Sequence, residues 1–96
     1  MKIKVKGYFT LKKVMGGKSV LEMEIEKATI KDLLKDLTEI FGQDFMDAIF
    51  DPKTQEVSSH ILILVNGRHY HFLPNRLDTE LKEGDEVALF PPIAGG

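Results

Sequence analysis

The side chains able to do chemistry are few in this chain of 96 residues, and they form no complete catalytic set. His69 and His71 sit two apart, the spacing that puts both imidazoles on one face of a strand, with His60 on the neighbouring strand. Three imidazoles can bind zinc, but nothing acidic or cysteinyl completes the set, so paired solvent-facing histidines are the preferred reading and no metal is expected. Ser58, Ser59 and His60 are contiguous, which is not how a nucleophile and its base usually meet, and no triad is expected. Gly16-Gly17 lacks the further glycines and the lysine spacing of a phosphate loop and reads as a turn. The acidic group Asp78, Glu80, Glu83, Asp85 and Glu86 reads as a solvated turn that could also steer a basic partner surface.

The remaining reactive group is the end of "LFPPIAGG", residues 89 to 96. Average glycine usage of about 7% would place Gly at both final positions in roughly one chain in two hundred. A carboxylate resists nucleophilic attack because its charge is delocalised and oxide is a poor leaving group. Turning Gly96 into a reactive acyl species therefore requires activation, for example as an acyl-adenylate. An enzyme doing so must thread the tail into a narrow site over ATP, and Gly95 and Gly96 have no Cβ to obstruct that path. A disordered end or a cloning scar would also end in glycines, but their coincidence with "LFPP" favours function. The chain has no cysteine, so any sulfur chemistry must run on something other than a side chain.

The elements that position this tail follow from patterning. Met1, Ile3 and Val5 alternate with Lys2, Lys4 and Lys6, which marks a strand with one buried face. Gly16-Gly17 is expected to turn this extended stretch into a return strand over about Ser19 to Ile25. Ile30, Leu33, Leu34, Leu37, Ile40 and Phe41 fall at helical spacing behind a Thr29/Asp32 capping box, with Gly42 as the stop. A short second helical segment holds Phe45, Met46, Ile49 and Phe50 and ends at the "DP" of residues 51 and 52. A polar loop over 51–59 leads to "ILILV" at 61–65, apolar on both faces and so expected inside the sheet. Asn66-Gly67 then signals a hairpin onto "RHYHFL". Gly84-Asp85 turns the chain into a last strand, "EVALF", which Pro91-Pro92 ends.

In bulk the chain is 43% hydrophobic, and at this length about 60 to 65% of the unfolded surface can be buried, enough for one core. Fifteen acids against thirteen bases give a formal charge of -2 without a block of one sign, a poor match to a nucleic-acid partner. "ILILV" is far short of a membrane span, and the alternating lysines at the start do not make a signal peptide. The expectation is a cytoplasmic protein with neither nucleic acid nor membrane as partner.

These residues resemble a known family. "VNG" at 65–67, "LKEGDEVALFPP" at 81–92 and the terminal "GG" are similar to the ubiquitin-like sulfur carriers, most closely the small subunit of molybdopterin synthase. A thiamine-type carrier also ends in Gly-Gly, but the Phe-Pro-Pro before the tail is more like the molybdopterin type. The polar insertion at 51–59 and the "RHYHFLPNR" stretch depart from the pattern. The resemblance implies an α+β, β-grasp domain over 1–92, a mixed sheet of four to five strands with one main helix on one face, followed by a flexible tail over 93–96. It implies that the chain is no enzyme. Gly96 would be adenylated and converted to a thiocarboxylate that supplies sulfur for a molybdopterin or tungstopterin cofactor. No cofactor is expected on this chain, and ATP would be used by the activating enzyme. The implied partners are that adenylating, ubiquitin-activating-like enzyme and the large synthase subunit. They would dock on Phe90, Pro91, Pro92, Ile93 and Tyr8, while Gly95 gives access to Gly96. Core packing is an equal reading for Tyr8 and Phe9, whereas Val87 and Leu89 are expected in the core and Phe90 at least partly exposed. The rival functions are a modifier joined to target lysines, a thiamine- or tRNA-type carrier, and an interaction module that uses the sheet alone.

Overall fold

Strand β1 (Lys2–Gly7) buries Ile3, Val5 and Gly7 and turns Lys2, Lys4 and Lys6 outward, as its period of two requires. A computed structural model describes residues 1–92. After β1 come α1 (Thr10–Val14), β2 (Val20–Glu24), α2 (Ile30–Phe41), α3 (Gln43–Ile49), β3 (Leu62–Val65), β4 (Arg68–His69), two single 3-10 turns at Tyr70–Phe72 and Arg76–Asp78, and β5 (Glu86–Phe90). The sheet order is β2-β1-β5-β3-β4. β1 and β5 lie parallel at its centre, with Val5 opposite Val87 and Gly7 opposite Leu89, and every other pairing is antiparallel. This is the mixed-sheet β-grasp arrangement that the resemblance implies.

Helix α2 forms where its cap and stripe predict. Thr29 Oγ1 accepts from the Asp32 amide at 3.1 Å, and Asp32 Oδ2 accepts from the Thr29 amide at 3.0 Å, closing the capping box. The Thr29 backbone amide, and after it the Thr29 side chain, hold the Asp32 carboxyl below the usual carboxylate range. Ile30, Leu33, Leu34 and Leu37 are fully buried in one cluster with Ile3, Val5, Ile63, Val87 and Leu89 of the sheet. Burial of four such side chains contributes on the order of 6 to 12 kcal/mol of transfer free energy before the entropy of ordering them is counted. Gly42, at φ 81°, ends α2 and starts α3, a backbone that a residue with a Cβ adopts only with strain.

Three elements depart from the sequence expectation. The chain between β1 and Gly16-Gly17 is not extended, because Leu11 and Met15 fold into the core as the short helix α1. Gly7 makes room for it: a Cβ there would stand 2.6 Å from Met15 Sδ. Gly16 and Gly17, both near φ 80°, close the end of α1 before β2 begins. Secondly, Asn66-Gly67 does form the hairpin, both with positive φ, but the strand it opens is only Arg68–His69. Tyr70 turns into the core, which breaks the alternation and coils Tyr70–Phe72 into a 3-10 turn, so His69 and His71 do not share a strand face. Thirdly, His60 lies before β3 and not on it. The tail expected at 93–96 lies outside the described residues.

Candidate functional site

The last strand sets up the end of the sheet from which the tail departs. Along β5, Val87 and Leu89 are fully buried beneath the helices, while Ala88 and Phe90 face the other way and are half-buried. The Tyr8 amide donates to the Leu89 carbonyl at 3.2 Å, extending the β1–β5 ladder one step past Gly7. That step brings the Tyr8 ring onto Phe90, with parallel planes 5° apart and centroids at 4.3 Å.

Cross-strand register widens this pair into a band. Leu62 lies opposite Phe90, and Leu64 lies opposite Ala88 on one side and His69 on the other. Leu62 is 42% exposed, so the open face of β5 and β3 offers a row of apolar side chains to solvent. The other half of the face is charged: Lys4 stands between Glu22 and Glu86, Lys2 faces Glu24, and Lys6 Nζ pairs with Glu86 at 2.9 Å. The hydrogen bond and charge of Glu86 raise the Lys6 pKa. The open face is thus apolar toward the tail and mixed-charge away from it. An apolar core beside a polar border is the composition of a protein-docking surface.

Of the residues singled out for docking, the structure brings Tyr8 and Phe90 together at this edge. Pro91 is buried and Pro92 exposed, so Pro91 offers little surface of its own. Ile93, Gly95 and Gly96 lie outside the described residues. Leu62, Leu64 and Ala88 join this face and are not among the residues singled out by the sequence. "ILILV" is apolar at every position, and only the β3–β5 pairing tells which alternate set shares a face with Phe90.

The other candidates have structural uses. His69 Nδ1 accepts from the His71 amide at 3.1 Å, and its ring stacks on Tyr70 with centroids 4.8 Å apart. Partial burial, with the neighbouring His71, lowers the His69 pKa. Among the described residues no three of His, Cys, Asp and Glu converge to hold a metal ion. Ser58 Oγ accepts from the backbone amide of His60 and not from its imidazole. Four of the five clustered acids are engaged within the fold. Glu83 accepts from the Lys2 amide, Asp85 from the Asn66 side chain and the Lys82 amide, Glu86 pairs with Lys6, and Glu80 pairs with Lys27. Two open clefts, of about 530 and 610 Å³, lie against α2 and the 51–59 loop, and neither is lined by Tyr8 or any residue of β5. Among the described residues no helix is long and apolar enough to cross a membrane.

Comparison with known proteins agrees with this geometry. The ThiS family matches residues 8–96. A protein of Archaeoglobus fulgidus, named as a candidate sulfur carrier, is 38% identical over 76 residues, 79% of this chain and 83% of that protein. Small archaeal modifier protein 3 of Haloferax volcanii is 33% identical over 96 residues, covering 100% of both chains. Among solved structures, that of small archaeal modifier protein 1 from Haloferax volcanii superposes with a TM-score of 0.82 at 28% identity, again over 100% of each chain. These relatives are small carriers and modifiers, and the chain belongs to the ThiS family of ubiquitin-like sulfur carriers.

Proposed function

We propose that the Gly96 carboxylate is the working group and that the apolar end of the sheet is the surface by which enzymes take hold of it. The observation that carries this reading is the stacked Tyr8–Phe90 pair, an aromatic platform at the strand end from which "PPIAGG" departs. An adenylating enzyme would dock there. A Gly96 carboxylate oxygen attacks the α-phosphate of ATP, the bond to pyrophosphate breaks, and an acyl-adenylate forms. Hydrosulfide then attacks the acyl carbon, AMP leaves with the bonding pair, and loss of the thiol proton leaves a C-terminal thiocarboxylate. This chain supplies the acyl group and the docking surface, and the nucleotide chemistry belongs to the partner. The similarity of "LKEGDEVALFPP" to the molybdopterin synthase small subunit supports a pterin precursor held by a larger synthase subunit as the sulfur acceptor.

A second reading is favoured by the full-length likeness to a small archaeal modifier protein: the same adenylate would be captured by a target lysine as an isopeptide. Intact mass of the protein isolated from its native cell separates them. Replacement of one oxygen by sulfur on the free protein supports the carrier. Lysine-linked conjugates without a thiocarboxylate would transfer the assignment to the modifier. An unmodified protein that still binds its partner after removal of the tail would overturn both.

A further inference from the structure

Phe9 sits in a backbone conformation made for glycine. Its φ of 55° and ψ of -125° fall where a Cβ clashes with the neighbouring backbone, and for a bulky residue this is a true outlier. The fold demands the reversal. On one side the Tyr8 amide is tied to the Leu89 carbonyl; on the other the Tyr8 and Phe9 carbonyls accept from the Leu11 and Lys12 amides to start α1, whose Leu11 and Met15 are buried. The fold does not demand a phenylalanine. Glycine would meet the same dihedrals without strain, and the Phe9 side chain is 69% exposed, so it recovers little through burial. Strained residues that packing does not repay gather at functional sites.

Resting on the proposed function, we infer that Phe9 is a contact residue for the enzyme that activates Gly96, an exposed aromatic ring next in the chain to the Tyr8–Phe90 pair. The reach of the tail identifies the occupant. From Phe90 to Gly96 there are six residues, which span at most about 20 Å when extended. An enzyme holding the Gly96 carboxylate over ATP must therefore come within that distance of Phe90, at the end of the sheet where Phe9 follows Tyr8 in the chain.

The test uses the full chain and the ATP-dependent adenylating enzyme of the same organism, with pyrophosphate exchange and thermal melting measured in parallel. Phe9→Gly is expected to melt above the parent, by about 4 to 8 °C, because the relieved strain exceeds the added freedom of the unfolded chain. The same variant is expected to raise the KM of the carrier at least about tenfold, with kcat retained, because a docking ring is lost and no reacting group is touched. Phe9→Leu keeps apolar bulk and strain and should restore most of the KM at the parent's melting point. A Phe9→Gly protein that melts higher with unchanged KM would show that the ring is merely tolerated and overturn the inference. A lower melting point would show the ring to be structural and overturn it equally. If the parent itself is not adenylated, the proposed function fails and takes this inference with it; parent activity with an unaffected Phe9→Gly variant sinks only the inference.

Discussion

Tyr8 and Phe90 stack with planes 5° apart and centroids 4.3 Å apart across the parallel β1–β5 junction at the centre of the sheet. Neither ring belongs to the buried core, which takes Val87 and Leu89 from β5 and Ile3 and Val5 from β1. The pair stands where the last strand ends, half-exposed, with Leu62 alongside. A stack that is only partly desolvated contributes modestly to folding, about 0.5 to 1.5 kcal/mol beyond its area, yet presents a rigid aromatic surface to a partner at little cost in side-chain entropy.

Phe90→Asp should therefore cost more in binding than in folding. The charge would be desolvated and unpaired against a docked enzyme, with an expected loss of at least about 2 kcal/mol of partner affinity, whereas the free fold loses a half-exposed stack worth about 1 kcal/mol. Titration calorimetry with the partner, set beside a thermal melt, separates the two. Equal losses in both would place Phe90 in the core instead.

Gly7→Ala tests how α1 is seated. The new Cβ would fall 2.6 Å from Met15 Sδ, so Met15 must leave a position in which it is 2% exposed. Overpacking of this kind costs about 1 to 3 kcal/mol, measurable as a lower urea midpoint at unchanged slope. Unaltered stability would mean that Met15 repacks freely and that Gly7 is not required by α1.

Thr29→Ala should destabilise the protein by about 1 kcal/mol through loss of the α2 cap. It should also change the acid limb of the stability curve. The Asp32 carboxyl is held below 3.8 first by the Thr29 backbone amide and second by the Thr29 side chain, so its contribution is present above pH 3.8 and is lost as pH falls below that through the folded-state value. With the Thr29 hydroxyl gone that dependence should shrink. The backbone amide remains in the alanine variant, so the dependence should not vanish; chemical denaturation from pH 2 to 7 reads it directly, and an acid limb identical to the parent's would mean that the amide alone holds Asp32 down.

Much of this architecture was legible because it rests on local rules. The capping box, the α2 stripe and the Asn66-Gly67 turn are spelled by neighbouring residues. Helix α1 was hidden because its apolar residues, Leu11, Val14 and Met15, are too few for a period to stand out in five helical residues, and because the reason for Gly7 is a contact with a side chain eight positions away. "RHYHFL" has strand composition, but Tyr70 must reach the core, and that tertiary demand overrides propensity after His69. The same limit applies to the site. Phe90 could be placed by alternation within its own strand, whereas Leu62 and Leu64 join it only through the β3–β5 register, which no local pattern encodes. The strain at Phe9 is invisible in "GYFT", where the glycine stands two positions before the residue with positive φ.

The central claim is that the Gly96 carboxylate is the reacting group, and the most direct measurement is pyrophosphate exchange by the adenylating enzyme with one alanine appended after Gly96. The extra residue moves the carboxylate by about 3.5 Å, where a misplacement of about 1 Å can already cost on the order of a hundredfold. None of the described residues changes, so the melting curve should match the parent's while exchange falls to background. An extended protein adenylated as fast as the parent, with mass spectrometry showing the alanine still in place, would contradict the account.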